Sequence, residues 1–200
     1  LSNAVITFLF NIILMRLAGP NGVAAITILL YGQFLFNAFY LGFSIGISPI
    51  VRYQYGAGNR KELKSIYRIS FLFVSISSVI IAFAAGYLST SIVTIFTDDP
   101  GTYALAVTGF GIFAYNFLFS GFNIVSSGFF TALSNGKVSA IISFCRTLLF
   151  TVISLLVLPQ FFGVNGAWLA IPVAEFVTLL LCIGMHRKYF YVEGKQNYFH

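Results

Sequence analysis

From Ile69 to Thr97, and again from Gly101 to Gly136, the chain carries no charged residue. Both runs exceed the ~20 apolar residues that cross ~30 Å of hydrocarbon as a helix. A water-soluble core cannot hide so much apolar surface in 200 residues, of which 58% are hydrophobic and only 8% charged; soluble domains carry roughly 25% charge. The chain therefore reads as an all-α integral membrane protein, because a helix satisfies its own backbone N–H and C=O groups in lipid.

Turn formers divide it into six spans, a six-transmembrane-helix bundle, at about residues 1–17, 23–52, 66–96, 103–133, 138–158 and 167–185. The breaks fall at Gly19-Pro20-Asn21-Gly22, at Gly56-Ala57-Gly58-Asn59, where Gly56 and Gly58 permit a tight turn, at Thr97-Asp98-Asp99-Pro100-Gly101, at Ser134-Asn135-Gly136-Lys137 and at Pro159. The second span is longer than a perpendicular crossing needs, which calls for tilt, a bend at Pro49 or an extension beyond the membrane. A G-x-N-G motif precedes both the second span, at Gly19–Gly22, and the sixth, at Gly163–Gly166. This short echo suits paired hairpins, although Asn-Gly is a common turn dipeptide anyway. The first span lacks the basic region and small-residue cleavage site of a signal peptide, and it starts without a flank, as expected of a piece of something longer.

Charge sets the orientation. Arg52, Arg60, Lys61, Lys64 and Arg68 surround the loop at Asn59, and alternation brings Lys137, Arg187, Lys188 and Lys195 to the same side. Arg16, Asp98 and Asp99 fall on the other. The positive-inside rule makes the basic side cytoplasmic, with the C-terminus, in a multi-pass protein of the inner or plasma membrane. The net charge of +6 thus reports orientation and not nucleic-acid binding. Cys145 and Cys182 sit in apolar spans without metal-ligand spacing and read as packing residues. His186 and His200 fall in the tail, and no Ser-His-Asp or Cys-His constellation is present. Neither enzymatic chemistry nor a metal or organic cofactor is expected.

The informative pattern is polar. Gln33, Asn37, Tyr40, Ser44 and Ser48 recur at helical steps in the second span, as do Asn116, Ser120, Asn123, Ser127 and Thr131 in the fourth. Asn3, Thr7 and Asn11 add to these from the first span, Ser139, Ser143, Thr147 and Thr151 from the fifth, and Glu175, Thr178 and Cys182 from the sixth. Such side chains glue helices by hydrogen bonds worth ~0.6 kcal/mol on average. Unpaired amides in hydrocarbon cost several kcal/mol, so two long stripes holding three asparagines and a glutamine argue for a wet cavity. Its candidate lining is Asn11, Gln33, Asn37, Tyr40, Asn116, Ser120, Asn123 and Glu175. Gly42 and Gly46 form a small-xxx-small patch suited to close helix contact.

Two ionisable residues lie within spans. Glu175 falls near the midplane, three residues after Pro172, whose missing N–H frees the carbonyl of Trp168. An intramembrane carboxyl is a functional candidate by default. Arg146, in the fifth span, either snorkels toward the basic side or pairs with Glu175, and both a structural pair and a part in transport stay open.

The stretch from Pro49 to Leu63, P-I-V-R-Y-Q-Y-G-A-G-N-R-K-E-L, resembles the MATE (multidrug and toxic compound extrusion) family, whose members end an inward helix in P-x-x-x-x-x-[YF]-G-A-G-[NK]. F-F-T-A-L-S-N-G-K, from Phe129 to Lys137, followed by Arg146, and then G-V-N-G-A-W-L-A-I-P-V-A-E, from Gly163 to Glu175, are similar to the family's last three helices. The resemblance implies one lobe of a twelve-helix, pseudo-symmetric transporter with a cleft that opens alternately to either side. The chain would be its C-terminal lobe, helices seven to twelve, and its partners the N-terminal lobe, membrane lipid and small organic, often cationic substrates exported against H⁺ or Na⁺. NorM-like members carry acids on helices seven and ten; here the first span has none, and the fourth offers Asn116 and Asn123. The resemblance is thus to DinF- or MepA-like relatives, with the coupling acid in the N-terminal lobe. A lipid-linked sugar flippase of the same superfamily would show a more basic cavity, and a non-transporting helical subunit would confine its stripes to tight helix contacts.

Overall fold

Residues 2–191 and 198–199 are described by the computed structural model; Leu1, Lys195 and His200 lie outside the described residues. Among these residues every regular element is helical. The elements are α1 (Ser2–Gly56), α2 (Arg60–Tyr87), α3 (Ser89–Phe96), α4 (Pro100–Phe113), α5 (Phe117–Ala132), α6 (Gly136–Phe144) and α7 (Phe150–His186). A 3-10 turn at Ala114–Asn116 joins α4 to α5, and π-helical turns at Cys145–Leu149 and Arg187–Tyr191 join α6 to α7 and follow α7. Four continuous segments, Asn3–Gly56, Arg60–Tyr87, Pro100–Ala132 and Gly136–Tyr191, are long and apolar enough to cross a membrane.

Two of these segments double back on themselves. The backbone leaves helical geometry at Gly19 (φ 65°, ψ −156°) and at Gly163 (φ 56°, ψ −131°), a region open to glycine and strained for other residues. In a straight helix, residues eight apart are separated by ~12 Å. Yet a Cβ placed on Gly22 would lie 3.1 Å from the carbonyl oxygen of Leu14, and one on Gly166 would overlap the backbone carbonyl of Leu158. The G-x-N-G echo is therefore one hairpin used twice. Its first glycine supplies the left-handed turn, and its second lets the two arms meet.

The remaining turns are capped by side chains. Asn59 Oδ1 accepts the Glu62 N–H at 3.2 Å, Asp99 Oδ2 the Thr102 N–H at 2.7 Å, and Asn135 Oδ1 the Val138 N–H at 3.3 Å. Pro100 occupies the first turn of α4, where its missing N–H is harmless. Several expected boundaries shift as a result. The second arm of α1 runs on to Gly56, about 55 Å from Pro20 at 1.5 Å per residue, without breaking at Pro49. Asn59 starts α2 at Arg60 instead of Ile66, and a turn at Leu88 separates α3. Pro159 does not end the fifth span, which continues to Gly163.

The bundle exposes large apolar side chains and buries a polar stripe between its apolar cores. Ile95 is 80% exposed and Phe83 76%, whereas Asn116, Ser120, Asn123 and Thr178 are fully buried. That inversion suits lipid as solvent. One core, with Phe10, Leu14, Leu29, Phe110 and Trp168, packs the hairpin end. A second, with Val51, Leu63, Leu133, Val138 and Phe190, packs the basic end. Within the described residues Gly42 and Gly46 make no close helix contact, since a Cβ on either would meet nothing within 4 Å. Gly121 does so instead, against the ring of Tyr40.

Candidate substrate cavity

α5 is the central helix, packed on α1, α2, α6 and α7. Its buried stripe continues from the 3-10 turn at Asn116 through Ser120 to Asn123. Ser120 Oγ donates to Asn37 Oδ1 on α1 at 3.0 Å, and Asn123 Nδ2 donates to Glu175 on α7, at 2.8 Å to the backbone carbonyl and 2.6 Å to Oε2. The stripe thus ties two of the neighbouring helices together through polar groups that lipid could not solvate.

Glu175 is the hub. Arg146 Nε donates to both of its carboxylate oxygens, at 2.8 and 3.0 Å. Local backbone geometry places the arginine: the π-helical turn at Cys145–Leu149 widens the helix, and Thr151 Oγ1 donates to the Arg146 carbonyl at 2.8 Å. Such π-turns recur at functional sites. Of the two outcomes open from the sequence, the structure shows pairing, with Arg146 held against a carboxylate that is 5% exposed.

The pair stands in the wall of a cavity of about 690 Å³. α1 supplies Thr7, Gln33 and Asn37 with the apolar Leu30 and Phe34, while Thr147 and Thr151 flank Arg146 opposite. The cavity is open, and Phe34 in its lining is exposed. Gln33, Asn37, Glu175 and Arg146 line it; Ser120 and Asn123 stand directly behind the wall, bonded to Asn37 and Glu175.

Three expected residues are placed elsewhere. Tyr40 is wholly buried with Val74, Ile124 and Val125, because Gly121 leaves a socket for its ring. Asn116 is fully buried at the start of α5, away from the cavity lining. Asn11 is also off the wall, although its neighbours on the same face, Asn3 and Thr7, are on it. Both amide atoms of Asn116 and Oδ1 of Asn11 are buried without a hydrogen-bond partner among the described residues.

A polar centre absent from the sequence reading lies at the basic end. His186 is buried, not in a solvated tail, and its Nε2 is 2.9 Å from Ser126 Oγ. Phe71 and Phe130 pack its ring with centroids 5.0 Å away, joined by Phe190 and Tyr67. Extending the stripe Glu175, Thr178, Cys182 by four residues reaches His186, so helical periodicity held this signal. Tyr198 closes the cluster: Asn135 Nδ2 donates to its hydroxyl at 3.1 Å, and burial pushes its phenol above the ordinary value. Among the described residues no three His, Cys, Asp or Glu side chains gather to hold a metal.

A family model, MatE, matches residues 1–156. The chain belongs to the MatE family, whose members are membrane transporters rather than enzymes. Its fold is similar to the outward-facing conformation of a multidrug resistance MATE family transporter of the MOP superfamily, with a TM-score of 0.86, 18% identity and 94% of this chain covered. A MOP superfamily transporter from Pyrococcus furiosus gives 0.85 at 18% identity, and the bent form of a Vibrio cholerae MATE transporter gives 0.84 at 19%, each over 94% of this chain. The chain spans 42% of the length of each of these structures. Among curated proteins no sequence matches.

Proposed function

We propose that the chain is the C-terminal six-helix lobe of a multidrug exporter of the cell membrane, working by alternating access as an antiporter against H⁺ or Na⁺ and presenting its basic end and C-terminus to the cytoplasm. The observation that carries this reading is the open cavity with a charge pair set within long apolar helices. Buried charge inside a bilayer is costly and is retained where a pathway needs it. The open side would face the N-terminal lobe, and rocking of the two lobes would expose the wall to either side in turn.

Tyr31, Phe34 and Leu30 offer an apolar wall to flat organic compounds. Among the described residues Glu175 is the single acid in the wall, and it is already held by Arg146 and Asn123, which supports a DinF- or MepA-like type with its coupling acid in the N-terminal lobe. A sugar-lipid flippase would call for several cations, and among the described residues the wall offers Arg146 alone.

The test is ethidium export in cells stripped of their own exporters and expressing the full-length transporter that carries this chain. Faster export than in empty cells, abolished by collapsing either the proton or the sodium gradient, is expected. Ethidium retention equal to that of empty cells would overturn the reading.

A further inference from the structure

Arg146 does not grip Glu175 in the usual way. A guanidinium normally meets a carboxylate with two nitrogens, but here Nε alone reaches both oxygens, at 2.8 and 3.0 Å. Nη1 and Nη2 have no hydrogen-bond partner among the described residues, and Arg146 lines the cavity. The carboxylate is occupied on both oxygens, since Asn123 also donates to Oε2 at 2.6 Å. Exposure follows the same asymmetry, 17% for the arginine side chain against 5% for the glutamate. The pair is neutral in sum and both residues line the cavity, but the donors left without a partner are those of the arginine's Nη edge.

We propose that the cavity binds amphipathic compounds through an anionic oxyacid group, a carboxylate or sulfonate, seated on the free Nη edge of Arg146, with the apolar body against Phe34, Leu30 and Ile171. The inference rests on the exporter reading and names the chemistry of its substrates. Two parallel N–H donors match two oxyacid oxygens in geometry as well as charge. Glu175 and Asn123 then act as positioning residues: they fix the arginine by its Nε so that its outer edge points inward. Thr151, whose hydroxyl holds the Arg146 carbonyl, fixes the same residue from the backbone side.

The test uses the full-length transporter purified in detergent, with 5-carboxyfluorescein as the anionic probe, read by fluorescence anisotropy, and ethidium as the cationic one. Saturable carboxyfluorescein binding is expected. E175Q, which removes the counter-charge, tightens it, while the double variant R146Q/E175Q, which removes both charges and spares the fold an unpaired one, weakens it by about tenfold or more. R146K keeps the charge without the fork and falls between wild type and the double variant. Carboxyfluorescein binding by R146Q/E175Q equal to wild type would overturn the inference. So would export of ethidium by a transporter that binds no carboxyfluorescein, an outcome that leaves the exporter reading standing; failure to export ethidium at all strikes that reading instead.

Discussion

Asn123 holds Glu175 at two points, the backbone carbonyl and the carboxylate, with one amide nitrogen. Because Asn123 is on the central helix and Glu175 on the last, this contact fixes both the register of α7 on α5 and the rotamer of the buried acid. N123A should therefore lower stability by about 2 kcal/mol, above the average for a hydrogen bond in a membrane, since one acceptor is charged. Thermal unfolding of the purified transporter in detergent checks it, with S65A, outside the cavity lining, as the neutral comparison.

The Arg146–Glu175 pair predicts strong non-additivity. R146Q leaves a carboxylate at 5% exposure without its counter-charge and should cost about 3–5 kcal/mol, whereas R146Q/E175Q should lie close to wild type. Equal losses in the single and double variants, measured by the same unfolding experiment, would mean that the two charges are not coupled.

Much of this was legible in the sequence because lipid is an exacting solvent. Apolar run length marked the spans, and four-residue and three-residue steps brought Gln33, Asn37, Ser120, Asn123 and Glu175 to one region. What periodicity could not say is depth behind the wall. Tyr40 and Asn116 share the stripes but are wholly buried, because a stripe is wider than a cavity and Gly121 opens a socket for the tyrosine ring. Pairing of Arg146 was one of two open outcomes, and the π-turn that carries the arginine is something no propensity rule predicts. His186 was misplaced because the basic residues after it read as a tail, while an aromatic cluster from α2, α5 and the C-terminal segment covers it.

Glycine substitutions should separate by position. Gly166→Ala pushes a methyl into the Leu158 carbonyl, and Gly163→Ala strains a left-handed residue, so each should cost roughly 1–3 kcal/mol. Gly42→Ala meets open space within a helix and should be neutral or stabilise by up to about 1 kcal/mol. Expression level and unfolding temperature of the three variants report the order.

Acid should loosen the turn before α4. The Thr102 N–H held at 2.7 Å is the first cause that keeps the Asp99 carboxyl below its ordinary value. A group with a lowered folded pKa contributes stability that is fully present above the unfolded value, near 4, and is lost as pH falls through the folded one. The stability of wild type relative to D99N should thus be constant at neutral pH and decline below about pH 4. A flat difference down to pH 2 would show that the cap is not coupled to folding.

The two glycine hairpins bear on how the protein enters a bilayer. Each arm turns straight into the next, so neither leaves a polar domain to be carried across. Each pair of arms is thus a single unit for a bilayer, its backbone groups satisfied within the helices and only a tight elbow between them.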